Sequence, residues 1–254
     1  MLLAIDVGNT NTVLGVFEGD ELRHSWRVKT DARNTADELA LTFRGLLNGT
    51  IVTGIAACST VPAVLRELRT MLARYYDDVP TVLVEPGVRT GVGVVFDNPK
   101  EVGTDRVCNT AAAHHLTGGA CIVVDFGTST NFDCVSARGD FVGGALAPGI
   151  EISLDALAAR AAQLRKVELV APRSPIGKNT VEALQSGILY GFAGQVDGMV
   201  RRLRVALVPD DPASVDVIAT GGLATLVIDH SETVTRYEPE LTLLGLRLIY
   251  DRNI

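Results

Sequence analysis

The first thirty residues alternate between short apolar runs and polar turns. Leu2 to Ile5 is apolar and leads into Asp6-Val7-Gly8, Asn9 to Thr12 is polar, and Val13 to Phe17 is apolar again. Glu18-Gly19-Asp20 makes a turn before Leu22 to Val28. Runs of this length, bounded by Gly, Asn and Asp, predict three antiparallel strands. Thr35-Ala36-Asp37-Glu38 then has the form of a capping box ahead of Leu39, Leu41, Phe43, Leu46 and Leu47, which predicts a helix to about Asn48-Gly49. Ile51 to Cys58 predicts a strand. Pro62 opens a helix with Leu65, Leu68, Met71 and Leu72 on its apolar side, and Thr81 to Val84 predicts a short buried strand.

Gly87 to Gly103 is rich in Gly, Asp, Asn and Pro and predicts a long loop, in which Asn98-Pro99 disfavours helix. Thr104 to Leu116 is Ala-rich and helical in pattern. The opening motif then recurs: Cys121 to Val124 is apolar, Asp125-Phe126-Gly127 repeats the Asp-x-Gly turn, Thr128 to Asn131 is polar, and Phe132 to Val135 follows. A glycine-rich loop is expected at Gly143 to Gly149, a helix from Ile152 to Leu164, a polar loop at Pro172 to Lys178, and a long helix from Thr180 to about Leu207. Val215 to Ala219 predicts a strand, Thr220-Gly221-Gly222 a turn into a helix, and Leu241 to Tyr250 the last helix. The repeat predicts a duplicated α/β protein with halves 1–118 and 119–254.

The turn chemistry points to a nucleotide. Gly8 lets the backbone approach a ligand, and Asn9, Thr10, Asn11 and Thr12 add donors beside the turn's N–H groups, a nest suited to phosphate oxygens. Asp6 repels phosphate directly and serves it through Mg2+ or an ordered water. An ordinary hairpin has the same residues, and one copy alone does not decide between the two readings. Two copies with matched flanking strands favour a nucleotide gripped between the halves.

Composition narrows the class. The chain has 254 residues and a net charge of -7, which argues against nucleic acid or an anionic membrane as the main partner. An anionic substrate therefore needs a local cationic patch. No apolar run reaches the length of a membrane span, and Asp6 interrupts the first run, unlike a signal peptide. Cys58, Cys108, Cys121 and Cys134 show no CxxC spacing, so reduced, buried thiols and a cytoplasmic location are expected. Adjacent His114 and His115 point to different sides of a helix and do not make a metal site. Arg201-Arg202-Leu203-Arg204 complements a helix C-terminus.

The order of two Asp-x-Gly turns and a late Gly-Gly turn resembles the acetate and sugar kinase, heat-shock chaperone ATPase and actin superfamily. Within it, Asp6-Val7-Gly8-Asn9-Thr10-Asn11, Asp97-Asn98-Pro99, Gly103-Thr104-Asp105-Arg106, Asp125-Phe126-Gly127-Thr128, Gly143-Gly144 with Pro148-Gly149, and Lys178-Asn179-Thr180 resemble the motifs of type III pantothenate kinases. The resemblance covers essentially the whole chain. It implies duplicated actin-like (ribonuclease H-like) domains with mixed sheets and a nucleotide cleft between them. It further implies ATP-dependent phosphorylation of pantothenate to 4'-phosphopantothenate, the first step of coenzyme A synthesis, by a homodimer using Mg2+ and potassium or ammonium.

Residue by residue, the resemblance assigns Asp6, Val7, Gly8, Asn9, Thr10, Asn11, Thr12, Val13 and Thr128 to ATP. It assigns Phe96, Gly103, Thr104, Asp105, Arg106 and Thr180 to pantothenate, with Thr180 arriving from the partner subunit. Asp125 is implied to hold the monovalent cation, and Asp6 the Mg2+. Asp105 is the candidate base and Arg106 a planar fork for the pantothenate carboxylate. Read without the resemblance, Asp105 is a helix cap, Arg106 a surface arginine and Thr180 a cap residue. Ser129, Asn131 and Phe96 depart from the family's usual alanine, threonine and tyrosine. The rival readings are another small-molecule kinase of the superfamily and a nucleotide-binding regulatory paralogue. Leu184, Ile188, Leu189, Phe192 and Val196 form an apolar stripe, which fits either a subunit interface or burial within the subunit.

Overall fold

The computed structural model describes residues 1–160 and 167–254. Contacts divide the chain into two units. The first comprises 1–92, 97–112 and 241–254, and the second 93–96 and 113–240.

The first unit is built on a five-stranded mixed sheet. Strands β1 (Leu2–Val7), β2 (Asn11–Glu18) and β3 (Glu21–Lys29) form an antiparallel meander. Helix α1 (Ala36–Leu47) leads to β4 (Gly54–Ser59), and α2 (Pro62–Tyr75) to β5 (Thr81–Leu83). Both β4 and β5 add in parallel beyond β1, giving the order β3-β2-β1-β4-β5. The expected capping box is present: Thr35 Oγ accepts the Glu38 N–H, and the Thr35 N–H donates to Glu38 Oε2. Side-chain alternation splits the core between the two faces. Leu3, Ile5 and Val7 pack with Phe43, Leu68 and Met71 from α1 and α2. Ala4, Ala56 and Cys58 pack with Cys108 and with Leu243, Leu246 and Ile249 of the C-terminal helix.

A single 3-10 turn (Pro99–Glu101) interrupts the expected long loop before α3 (Thr104–Thr117). The second unit repeats the plan with β6 (Cys121–Phe126), β7 (Ser129–Val135) and β8 (Phe141–Pro148) as the meander. Helices α4 (Ile150–Arg160) and α5 (Thr180–Leu207) follow, then β9 (Asp216–Thr220), the one-turn α6 (Ala224–Val227) and β10 (Arg236–Tyr237). The order β8-β7-β6-β9-β10 matches the first sheet strand for strand. Ile122, Val124, Phe126 and Phe132 pack against Phe192, Val196 and Val200 of α5. The chain closes with α7 (Leu241–Asp251), which packs on the first sheet.

Three local readings change. The strand expected from Ile51 begins at Gly54. The loop expected at Gly143 to Gly149 is instead edge strand β8 as far as Pro148, with only Gly149 left before the helix. Gly143, with φ +106°, lies with Val142 in a bulge where the β7–β8 register shifts. The helix expected from Ile152 begins at Ile150, and the stretch 161–164 of that expectation lies outside the described residues.

Candidate active site

In the first unit, β1 and β4 run in parallel and end together. Ligand sites of α/β sheets gather at such carboxyl ends. Asp6 is next to last in β1, and its partner across the ladder is Cys58. The chain then turns through Gly8, Asn9 and Thr10, closed by the Gly8 N–H donating to the Asn11 carbonyl at 3.0 Å. Asn9 and Thr10 are exposed, whereas Thr12 is buried. The Thr12 and Thr30 hydroxyl oxygens lie 2.9 Å apart, and the Thr30 N–H donates to the Thr10 carbonyl at 3.0 Å. The end of β3 thus braces the turn.

Asp105 is the second residue of α3. Thr104 beside it donates its hydroxyl to the Ser59 carbonyl at 3.4 Å, tying the helix start to the end of β4. Asp105 Oδ1 is buried and has no hydrogen-bond partner among the described residues. A Cβ on Gly103 would collide with that oxygen, so glycine leaves the carboxylate its space. Burial raises the Asp105 carboxyl above the usual range, against the backbone N–H and charge of Arg106.

Asp6 is pushed to about 7, first by burial and then by the charge of Asp105, while the Cys58 hydrogen bond and Arg27 act in the opposite sense. Its residue surface is only partly covered, but the carboxyl itself is enclosed. The Cys58 thiol donates to Asp6 Oδ1 at 3.3 Å. A hydrogen bond with Cys108, burial and the Asp6 charge all push the Cys58 thiol up, so it stays protonated. Two acids within electrostatic reach, one with an unused oxygen, suit a cation and a proton-bearing substrate group.

In the second unit, Asp125 is next to last in β6, opposite Asn131 on β7 and Thr220 on β9. The exposed Gly127-Thr128 turn is closed by the Gly127 N–H to the Ser129 carbonyl (3.0 Å) and held by the Gly149 N–H to the Thr128 carbonyl (3.1 Å). Gly221 has φ +92°, and a Cβ there would stand 2.7 Å from Asp125 Oδ1 and 2.6 Å from the Phe126 carbonyl oxygen. The Thr220-Gly221-Gly222 turn therefore lies directly on the Asp125 carboxylate. Beyond it, a cavity of about 210 Å³ is lined by Ile150, Leu169, Leu189, Thr225, Leu226 and His230. Among the described residues, no group of three or more His, Cys, Asp or Glu side chains could hold a metal ion.

The family model for type III pantothenate kinase matches residues 2–202. A type III pantothenate kinase of Frankia casuarinae is 68% identical over 254 residues, covering 100% of both chains. The chain belongs to the type III pantothenate kinases.

Two solved structures share its actin-like fold. One is the activator of the 2-hydroxyisocaproyl-CoA dehydratase from Clostridium difficile with bound ADPNP, at 11% identity and a TM-score of 0.57, covering 99% of this chain and 95% of that one. The other is the inorganic polyphosphate/ATP-glucomannokinase from Arthrobacter sp. strain KM, at 14% identity and a TM-score of 0.54, covering 100% of this chain and 99% of that one.

As in any type III pantothenate kinase, ATP is the second substrate, and the remaining motif residues can be located. Phe96 belongs to the second unit, where its ring lies 5.9 Å from that of Phe141. Thr180 is the exposed first residue of α5, and Asn179 does the capping by accepting the Glu182 N–H at 2.9 Å. The departures Ser129 and Asn131 satisfy each other, the Ser129 hydroxyl donating to Asn131 Oδ1 at 2.8 Å. Of the α5 stripe, Leu189, Phe192 and Val196 are buried within the second unit. His114 lies 3.3 Å from the Ala137 carbonyl oxygen. Arg201 pairs with Glu232, and Arg204 donates to the Val215 carbonyl. Sequence patterning passed over Cys58, Ser59 and Thr30. The signal for the first two was their place at the end of the strand beside β1.

Proposed function

We propose that Asp105 acts on the acceptor hydroxyl as this kinase converts pantothenate and ATP to 4'-phosphopantothenate, the first step of coenzyme A synthesis. The observation that carries this is the buried Asp105 Oδ1, the carboxylate oxygen left without a partner at the start of α3. It offers an acceptor for a substrate O–H, and its raised affinity for protons suits it to receive one. The transition state of phosphoryl transfer is loose, so orienting that hydroxyl is the larger part of the role. Gly103 and Thr104 shape the space, and Arg106 takes the pantothenate carboxylate through its planar fork. Phe96 offers an apolar surface, without the phenol, to the same substrate.

The Asp6 to Val13 turn and Thr128 contact the ATP phosphates. The cavity beyond the Gly-Gly turn supports an adenosine site, being largely apolar with Thr225 and His230 at its wall. Asp6, whose enclosed charge is opposed by Asp105, would hold Mg2+. When bound, that ion neutralises charge on the transferring phosphate. A monovalent cation suits Asp125, since the Phe126 carbonyl lies against the same glycine as the carboxylate.

The assembly we propose is a homodimer in which Thr180 serves the partner's site. Exposed Ile176 and Val181 beside it supply apolar surface. Mixed dimers of Asp105→Asn and Thr180→Ala subunits would then regain activity, because one of their two sites keeps both residues. A cytoplasmic location is supported by four free, buried cysteines.

The test of the function is a panel of acceptors, including pantothenate and hexoses, with ATP and the purified chain. Mass-spectrometric detection of 4'-phosphopantothenate as the main product supports the reading. Phosphorylation of a sugar but not pantothenate overturns it.

A further inference from the structure

The proposed phosphate turn supplies only neutral donors, while Asp6 and Asp105 near it are acidic and the chain carries a net charge of -7. Arg106 is already assigned to the pantothenate carboxylate. The charge concentrated on a nucleotide's terminal phosphates favours a cation from the protein beside Mg2+, and β3 supplies candidates.

Asp6 pairs with Val13 across β1 and β2, and Val13 pairs with Arg27 across β2 and β3. The three side chains therefore stand in one row on one face of the sheet. One step nearer the turn on that face, Lys29 pairs with Asn11. Trp26 and Val28, which alternate with Arg27 and Lys29 along β3, pack on the opposite face, with α1. Arg27 and Lys29 are both exposed. Among the described residues neither has a carboxylate at ion-pair distance, whereas Arg23 is paired with Glu18 and Glu21, and Arg33 with Asp31. Immediately after them, Thr30 is bonded to the turn through Thr10 and Thr12. Two cations without an ion-pair partner among the described residues are thus held in register beside the turn, Lys29 within electrostatic reach of Asp31. The charge of Arg27 already reaches the Asp6 carboxyl.

We propose that Arg27, supported by Lys29, is a binding residue for the terminal phosphates of ATP at the first turn. This rests on the kinase reading above. Arginine suits the task because its fork pairs with two phosphate oxygens at once.

The test compares wild type with Arg27→Gln, Arg27→Lys and Lys29→Gln. It reads KM for ATP, KM for pantothenate, and calorimetric binding of a non-hydrolysable ATP analogue and of AMP at low and high salt. Arg27→Gln is expected to weaken the analogue by about tenfold and to flatten its salt dependence, with AMP and the pantothenate KM unchanged within about twofold. Arg27→Lys should recover part of the loss, and Lys29→Gln should show a smaller one. Both side chains are exposed, and equal thermal melts would show that the variants fold. Unchanged analogue affinity in Arg27→Gln overturns the proposal. So does an equal loss for AMP, or a rise confined to the pantothenate KM. A wild-type chain that binds no analogue and forms no 4'-phosphopantothenate would instead remove the kinase reading.

Discussion

Cys58 and Asp6 face each other across the parallel ladder of β1 and β4, and the thiol donates to Asp6 Oδ1 at 3.3 Å. The thiol is the donor because its own ionisation is suppressed. Even with this bond, burial and Asp105 hold the Asp6 carboxyl near 7. Its folded value is therefore above its unfolded one, and the proton is bound more tightly by the folded chain. The associated stability is fully present below the unfolded value near 3.8 and is lost as pH rises through about 7. In protein free of nucleotide and divalent ions, Asp6→Asn should raise Tm by a few degrees at pH 8, with the gain vanishing by pH 4. Thermal melts across that range check it, and a gain that grows toward acid would show the sign to be wrong.

Asp125 and Gly221 form the corresponding contact in the second unit. Gly221→Ala combines left-handed backbone with a Cβ at 2.6–2.7 Å from Phe126 O and Asp125 Oδ1, so the turn must shift. Loss of ATP binding is expected, with a cost to stability of about 1–3 kcal/mol. The proposed cation gives a second readout. Replacing potassium with sodium at constant ionic strength should raise the KM for ATP and lower turnover, and Asp125→Ala should remove most of that difference. Equal wild-type activity in the two salts, with ammonium excluded, would defeat the cation assignment.

Asp197, buried on α5, accepts the Ser231 hydroxyl, the Glu232 N–H, and both the N–H and hydroxyl of Thr233. Burial alone would raise its carboxyl, but these donors outweigh it and hold it below the usual range. Its stabilisation is present above the unfolded value and is lost as pH falls through the lowered folded one. Asp197→Ala should cost roughly 2–4 kcal/mol by leaving several donors unpaired. Denaturant unfolding near neutral pH measures it. A loss below about 0.5 kcal/mol would mean that water replaces the carboxylate at no cost.

Much of this was legible in the sequence because strands and caps are local. The Thr35 capping box and the two Asp-x-Gly hairpins formed as their patterns required. The exposure of Asn9, Thr10 and Thr128 follows from their turn positions. What escaped depended on long-range register. Nothing local to Cys58 says that it will lie opposite Asp6, because that pairing is made by a parallel crossover from residue 6 to residue 58. Glycine content is a poor guide at Gly143 and Gly144, where a bulge and close backbone packing admit them in an edge strand. The α5 stripe could not be assigned from its period, because burial against a sheet and burial against a partner produce the same spacing. The return of α7 to the first sheet, placing Leu243 and Leu246 beside Cys108, carried no sequence signal at all.

The proposed division of labour has Asp105, through its unused Oδ1, act on the acceptor while the Asp6 turn binds the nucleotide. The most direct measurement is single-turnover phosphorylation of pantothenate by Asp105→Asn, alongside titration with a non-hydrolysable ATP analogue. The rate is expected to fall by about 100-fold or more, with analogue affinity within about threefold of wild type. A rate close to wild type with nucleotide binding intact would contradict that division.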